Sequence, residues 1–120
     1  MKRGGVTTRN ELLNAFLKGV KKNVAKNENW FNGDREKNSK FLKDNGLTIA
    51  HVKEAIMRLN DKDSPIGPEE DRDGYPGYVY KFKSKYLTDR VIYIKIRFYP
   101  PDEVMCISFH EDEDYHKKKK

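Results

Sequence analysis

What this chain has little of narrows the field first. It contains a single cysteine, Cys106, so no internal disulfide can form and no zinc-ligand spacing exists. A reducing, cytoplasmic setting is therefore expected. No run of about 18 apolar residues occurs, so no membrane-spanning helix is expected. The start, Met1-Lys-Arg-Gly-Gly5, is basic but has no apolar stretch behind it, and a secretory leader is not expected. Apolar residues make up only 36% of the chain against 37% charged, so its 120 residues must enclose a small core under an ionised surface. That length fits one domain, residues 1–120.

Acidic residues are scarce in one half only. Residues 1–60 hold 13 Lys/Arg against 6 Asp/Glu, a balance of +7, whereas residues 61–120 hold 12 against 13, a balance of −1. A basic half suits a polyanionic partner, because phosphate contacts supply most non-specific affinity for nucleic acid. It suits equally well a protein kept soluble by lysine-rich helix faces.

The first 60 residues read as helical, over about 8–60. Thr8-Arg-Asn-Glu11 has the pattern of a capping box. Behind it Leu13, Phe16, Leu17, Val20 and Val24 recur at helical spacing up to about Asn27. Residues 29–33 form a short aromatic connection with the character of an edge strand. Asp34 is placed to cap a second helix, closed by Asn45-Gly46. Thr48 then caps a third that turns Val52, Ala55, Ile56 and Leu59 inward. Phe41 and Met57 are expected in the core.

Residues 61–77 break this pattern. Pro65, Gly67, Pro68, Gly74, Pro76 and Gly77 punctuate an acidic run, Glu69-Glu-Asp-Arg-Asp73, and a long loop is expected there. The run lacks the spacing of a calcium-binding loop. Strands follow at residues 78–83, 91–98 and 104–109, joined by short turns in an antiparallel meander. The expectation is an α+β fold, with N-terminal helices packed on a three-stranded or slightly larger antiparallel sheet over 78–110. Residues 111–120, acids followed by four lysines, read as a flexible tail.

The strands divide their residues between two faces. In Val91-Ile-Tyr-Ile-Lys-Ile-Arg-Phe98, the even positions are apolar, while Tyr93, Lys95 and Arg97 lie opposite. Pairing this run with Val104-Met-Cys-Ile-Ser-Phe-His110 makes one dry face only if Ile94 opposes Ile107, Ile96 opposes Met105 and Ile92 opposes Phe109. Tyr93 then opposes Ser108, Lys95 opposes Cys106, and His110 lies diagonal to Tyr93. The neighbouring strand adds Lys81 and Lys83 to the same open face.

Three segments carry a resemblance: residues 67–82, from Gly67-Pro-Glu-Glu-Asp-Arg-Asp to Tyr78-Val-Tyr-Lys-Phe82; Val91-Ile-Tyr-Ile-Lys-Ile96; and Cys106-Ile-Ser-Phe-His110. Together they resemble the motility quorum-sensing regulator (MqsR) toxin family of the RelE-like superfamily. The resemblance extends loosely upstream, over about residues 12–111. It implies a bacterial toxin that cleaves mRNA without a metal or other cofactor and is neutralised by a cognate antitoxin. In the family a tyrosine of the Val-Tyr-(Leu/Ile)-Lys strand is functional, and Tyr93 matches it. A basic residue follows Ser-Phe in the last strand, where His110 stands in place of the lysine of the characterised relative. The family's glutamine before the first of these strands has no counterpart, since Pro76-Gly77 stand there, and its loop lysine has only Lys62 as a match.

Under that reading His110 is the acid–base residue that protonates the leaving oxygen, histidine being the side chain suited to proton transfer near neutrality. Tyr93 donates to the phosphate or, with its ionisation eased by Lys95, acts as base. Lys81, Lys83, Lys95, Arg97 and Arg72 hold RNA phosphates, and Tyr78, Tyr80 or Tyr86 stack unpaired bases. Cys106 has no assigned chemistry. Two other functions stay open: a non-catalytic RNA- or DNA-binding regulator using the same basic face, and an interaction domain whose acidic loop meets a basic partner.

Overall fold

The structure, a computed structural model, describes residues 9–113. Three helices come first, α1 (Arg9–Lys26), α2 (Glu36–Asp44) and α3 (Ile49–Met57). Four strands follow, β1 (Ile66–Glu69), β2 (Tyr78–Ser84), β3 (Ile92–Tyr99) and β4 (Glu103–Glu111). They form one antiparallel sheet in the order β1-β2-β3-β4. The fold is therefore α+β, helices first and sheet second, as the alternation of patterns implied. No described helix is long and apolar enough to cross a membrane.

The helices obey the stripes read from the sequence. Leu13, Phe16, Leu17, Val20 and Val24 of α1 are buried with Val52, Ala55 and Ile56 of α3 against the even positions of β3. Gly19 lets α1 sit close to the sheet, since a Cβ there would lie 2.3 Å from the ring of Phe98. The proposed Thr8 capping box lies outside the described residues. α2 ends as Asn45-Gly46 required: Gly46 takes φ +64°, Leu47 N–H donates to the Leu42 carbonyl at 2.8 Å, and Gly46 N–H donates to that of Lys43. At α3 the Thr48 N–H donates to His51 Nδ1 at 2.9 Å, a capping box closed by histidine.

Several boundaries differ from the sequence reading, each for a local reason. Asp34 does not cap α2. Arg35 holds that position with an extended backbone and no capping side chain, its guanidinium turned instead toward β4. Met57 is 40% exposed because the inward stripe of α3 passes through Ile56 and Leu59 and leaves residue 57 outside. The 61–77 segment is not one long loop, since β1 forms within it and pairs with β2, giving a fourth strand. β4 runs one residue past 110, and Asp112 is buried beyond it, so the first residues assigned to a tail belong to the fold. The remainder of the proposed tail, residues 114–120, lies outside the described residues.

The pairing of β3 with β4 changes register once. Tyr93 faces His110, Ile94 faces Phe109 and Lys95 faces Ser108, but then Ile96 faces Cys106 and Arg97 faces Met105. Ile107 is thus the extra residue of a β-bulge. The single register expected from the sequence is corrected on both sides of it. Tyr93 opposes His110 rather than Ser108, and Cys106 joins the core face beside Ile96 rather than opposing Lys95. Groups outside the pair hold the bulge in place. Trp30 and Asn32 hydrogen-bond the two sides of Cys106, with Cys106 N–H donating to the Trp30 carbonyl at 2.6 Å. The fully buried Asn38 of α2 donates to the Ile107 and Asn32 carbonyls and accepts from Phe109 N–H, each at 2.9 Å.

Replacing Asn38 by leucine leaves Phe109 N–H and the Asn32 carbonyl without the amide, and the Ile107 carbonyl with only a 3.4 Å contact from Arg35. The expected cost is about 2–4 kcal/mol, because unsatisfied buried groups each lose their full desolvation energy. Urea unfolding monitored by circular dichroism reads this directly; a loss below about 1 kcal/mol contradicts the assigned role.

Candidate functional site

Because pairing partners point to the same side, β2, β3 and β4 lay out the open face in rows. The first row is Lys83, Tyr93 and His110; the second is Lys81, Lys95 and Ser108; the third is Val79, Arg97 and Met105. Successive rows are two residues apart, about 7 Å along the strands. The helices cover the opposite face, so these side chains are free to meet a ligand where nothing else covers them.

The first row holds the most suggestive pair. The rings of Tyr93 and His110 lie 5.6 Å apart, tilted by 44°. His110 Nδ1 is 3.0 Å from the Glu111 carbonyl oxygen. A carbonyl only accepts, so Nδ1 carries a hydrogen and Nε2 is left for exchange with a ligand. Both rings line a cleft of about 400 Å³ together with Arg35, Lys37, Lys81 and Lys83. Burial raises the pKa of the Tyr93 phenol above its ordinary value; Lys81 and Arg35 oppose that shift while Glu69 and Asp112 add to it. Lys95 is not among the charges acting on it, and the expectation that Lys95 eases Tyr93 ionisation is not met. Tyr93 is a proton-bearing hydrogen-bond donor.

Arg35 and Lys37 are cleft residues that the sequence reading missed, and Arg35 is the better anchored. Its Nη1 donates to Ser108 Oγ at 2.8 Å and to the Ile107 carbonyl at 3.4 Å, so the bulge and the arginine brace one another. Nothing local marks it, because it sits 72 residues from Ile107 in the chain.

The expected phosphate-binding cations separate into two groups. Lys81 and Lys83 line the cleft, but each has a carboxylate partner: Lys81 with Glu69 at 3.2 Å and Lys83 with Asp112 at 3.2 Å. Arg97 lies outside it, over the ring of Tyr75 at 4.5 Å and 3.7 Å from the buried Asp71. Lys95 and Arg72 have no ion-pair partner among the described residues. The acidic run therefore folds back on the sheet, with Asp71 and Tyr75 both against Arg97 and Glu69 against Lys81. Among the described residues no cluster of His, Cys, Asp and Glu is arranged to hold a metal ion.

The two paired lysines respond differently to loss of charge. Asp112 is buried, with 6% of its side chain exposed, while Glu69 is 42% exposed. Lys83→Met strands a buried carboxylate and is expected to destabilise by about 1–3 kcal/mol, the half-exposed lysine keeping it below a fully buried pair. Lys81→Met, losing an exposed pair, is expected to change stability by less than about 1 kcal/mol. Parallel thermal melts at one pH separate the two; equal shifts contradict the distinction.

The stacking tyrosines also divide. Tyr80 is core, 4.5 Å from the Phe16 ring, and cannot stack on a base. Tyr86 is bound to Glu54 through its hydroxyl and lies under Arg58, on the α3 side. Tyr78 stays exposed, as does Tyr75, which the sequence reading passed over. Cys106 is fully buried, and burial pushes its thiol well above the usual range, so it is inert as a nucleophile. Compared with models of known protein families, with curated proteins and with solved structures, the chain matches none.

Proposed function

We propose that this chain is a metal-independent endoribonuclease that cuts single-stranded mRNA, the toxin of a pair neutralised by a cognate antitoxin. The observation that carries the reading is the opposition of Tyr93 and His110 across adjacent strands in a cation-lined cleft, with His110 Nδ1 tied to the Glu111 carbonyl. The resemblance to MqsR toxins around those two residues supports it.

The chemistry follows from the side chains. A 2′-hydroxyl oxygen attacks the adjacent phosphorus, its proton passing to solvent water, as the bond from phosphorus to the 5′-oxygen breaks, leaving a 2′,3′-cyclic phosphate and a 5′-hydroxyl. His110 in its imidazolium form gives the Nε2 proton to the departing 5′-oxygen, while its Nδ1–H, donated to the Glu111 carbonyl, fixes the ring's orientation. Tyr93 donates its phenolic hydrogen to a non-bridging oxygen as charge builds there. Arg35 and Lys37, the latter also paired with Glu113 at 3.4 Å, add positive charge at the cleft wall.

Expression of the chain in a bacterium with sequencing of RNA ends tests this. Growth arrest with new 5′-hydroxyl ends is expected, and purified protein should cut a synthetic transcript in the presence of EDTA. Intact transcripts in cells holding folded protein overturn the reading. If such a protein still binds RNA with a steep salt dependence, it is instead a nucleic-acid-binding regulator.

A further inference from the structure

The second row of the open face has a charge arrangement that its own strands do not explain. Lys81 and Lys95 stand directly opposite one another, and like charges so placed repel. On the other side of Lys95 is Ser108, and Arg35 reaches in from α2 to bind its hydroxyl. Lys95 gives up its proton more readily than an ordinary lysine, because of burial and the nearby charges of Lys81, Arg72 and Arg35, with only Asp71 acting against them. Glu69 answers Lys81 from the exposed edge strand, a pair weak enough for another anion to displace. Lys81 on β2 and Arg35, bound to Ser108 of β4, thus flank Lys95 on its two sides, and the planar fork of Arg35 is suited to phosphate oxygens.

We propose that Lys95, flanked by Lys81 and Arg35 at the edge of the Tyr93–His110 cleft that those two also line, marks a second phosphate subsite one row along the sheet from that pair. The substrate is then a single strand held through two consecutive phosphodiesters running along the β-strands. The row separation of about 7 Å is close to the step between neighbouring phosphates of an extended strand. The assignment rests on the nuclease reading for its first phosphate only. The second follows from the cluster itself.

Uncleavable single-stranded hexadeoxynucleotides test it, with one neutral methylphosphonate walked through each position and affinity read by fluorescence anisotropy. In the wild-type protein, two adjacent positions are expected to weaken binding by roughly 10–100-fold each, the worth of a charge-assisted contact. Lys95→Met is expected to abolish the sensitivity at one of the two and keep it at the other, while Lys95→Arg retains both. Lys81→Met serves as an independent variant and should reduce the same position as Lys95→Met. Sensitivity at scattered or single positions, or a pair of positions that neither variant alters, overturns the subsite, as does a wild type that fails to bind the unmodified hexamer. Cleavage of the matching all-RNA hexamer, scored separately, decides the nuclease reading on its own. A protein that shows the two-phosphate pattern and cuts nothing keeps the subsite and loses the catalytic role.

Discussion

His110→Ala is expected to slow RNA cleavage by about 10²–10⁴-fold, the usual contribution of a positioned acid–base group. The imidazole occupies a cleft of about 400 Å³ rather than the packed core, so its removal leaves room for a small molecule. Added imidazole should therefore restore part of the rate in the alanine variant and leave the wild type unchanged. A histidine that only props the end of β4 predicts another outcome, with a lowered melting temperature and no rescue. Among the described residues its side chain makes one hydrogen bond, to the adjacent Glu111 carbonyl, which gives it little to prop. An alanine variant that cuts RNA within about threefold of wild type removes His110 from the chemistry, because a missing acid–base group costs far more than that.

Tyr93→Phe is expected to reduce cleavage by about 10²–10³-fold, comparable to losing one donor aimed at developing charge. The phenylalanine ring keeps the packing against His110 and its stability, so the hydroxyl alone is tested. The pH dependence separates its two possible duties. A base must ionise to act, and a tyrosinate would make the rate climb as pH approaches 10. In the structure, burial raises the pKa of the phenol above that ordinary value, so Tyr93 keeps its proton through the whole working range. The wild-type profile should hence show no alkaline rise attributable to Tyr93, and the Phe variant should have the same shape at a lower level. A rise in the wild type that disappears in Tyr93→Phe assigns the residue to proton abstraction instead.

Both variants depend on a face whose composition was legible but whose register was not. Strict alternation from Ile92 to Phe98 assigns Tyr93, Lys95 and Arg97 to one side whatever they pair with, because successive strand residues point opposite ways. The same logic sends Lys81 and Lys83 there and Tyr80 and Phe82 into the core, as observed. The demand for one unbroken dry face then favoured a uniform register and missed the bulge at Ile107. That choice is made by hydrogen bonds from Asn38, which reach β4 across 69 and 71 positions of chain. Periodicity within a strand carries no record of a partner so distant.

The sequence by itself determined the helix stripes, the stop at Gly46, the α+β order and the face on which Tyr93, Lys95 and Arg97 lie. Each of these follows from neighbours within a few residues, where backbone geometry dictates side-chain direction. Only the tertiary structure decided that Tyr93 and His110 stand directly opposed, that Arg35 completes their cleft, and that Glu69, Asp71 and Asp112 pair with cations otherwise offered to RNA. Those outcomes depend on where α2, β1 and the β4 terminus come to rest against the sheet, and packing between distant segments sets that arrangement.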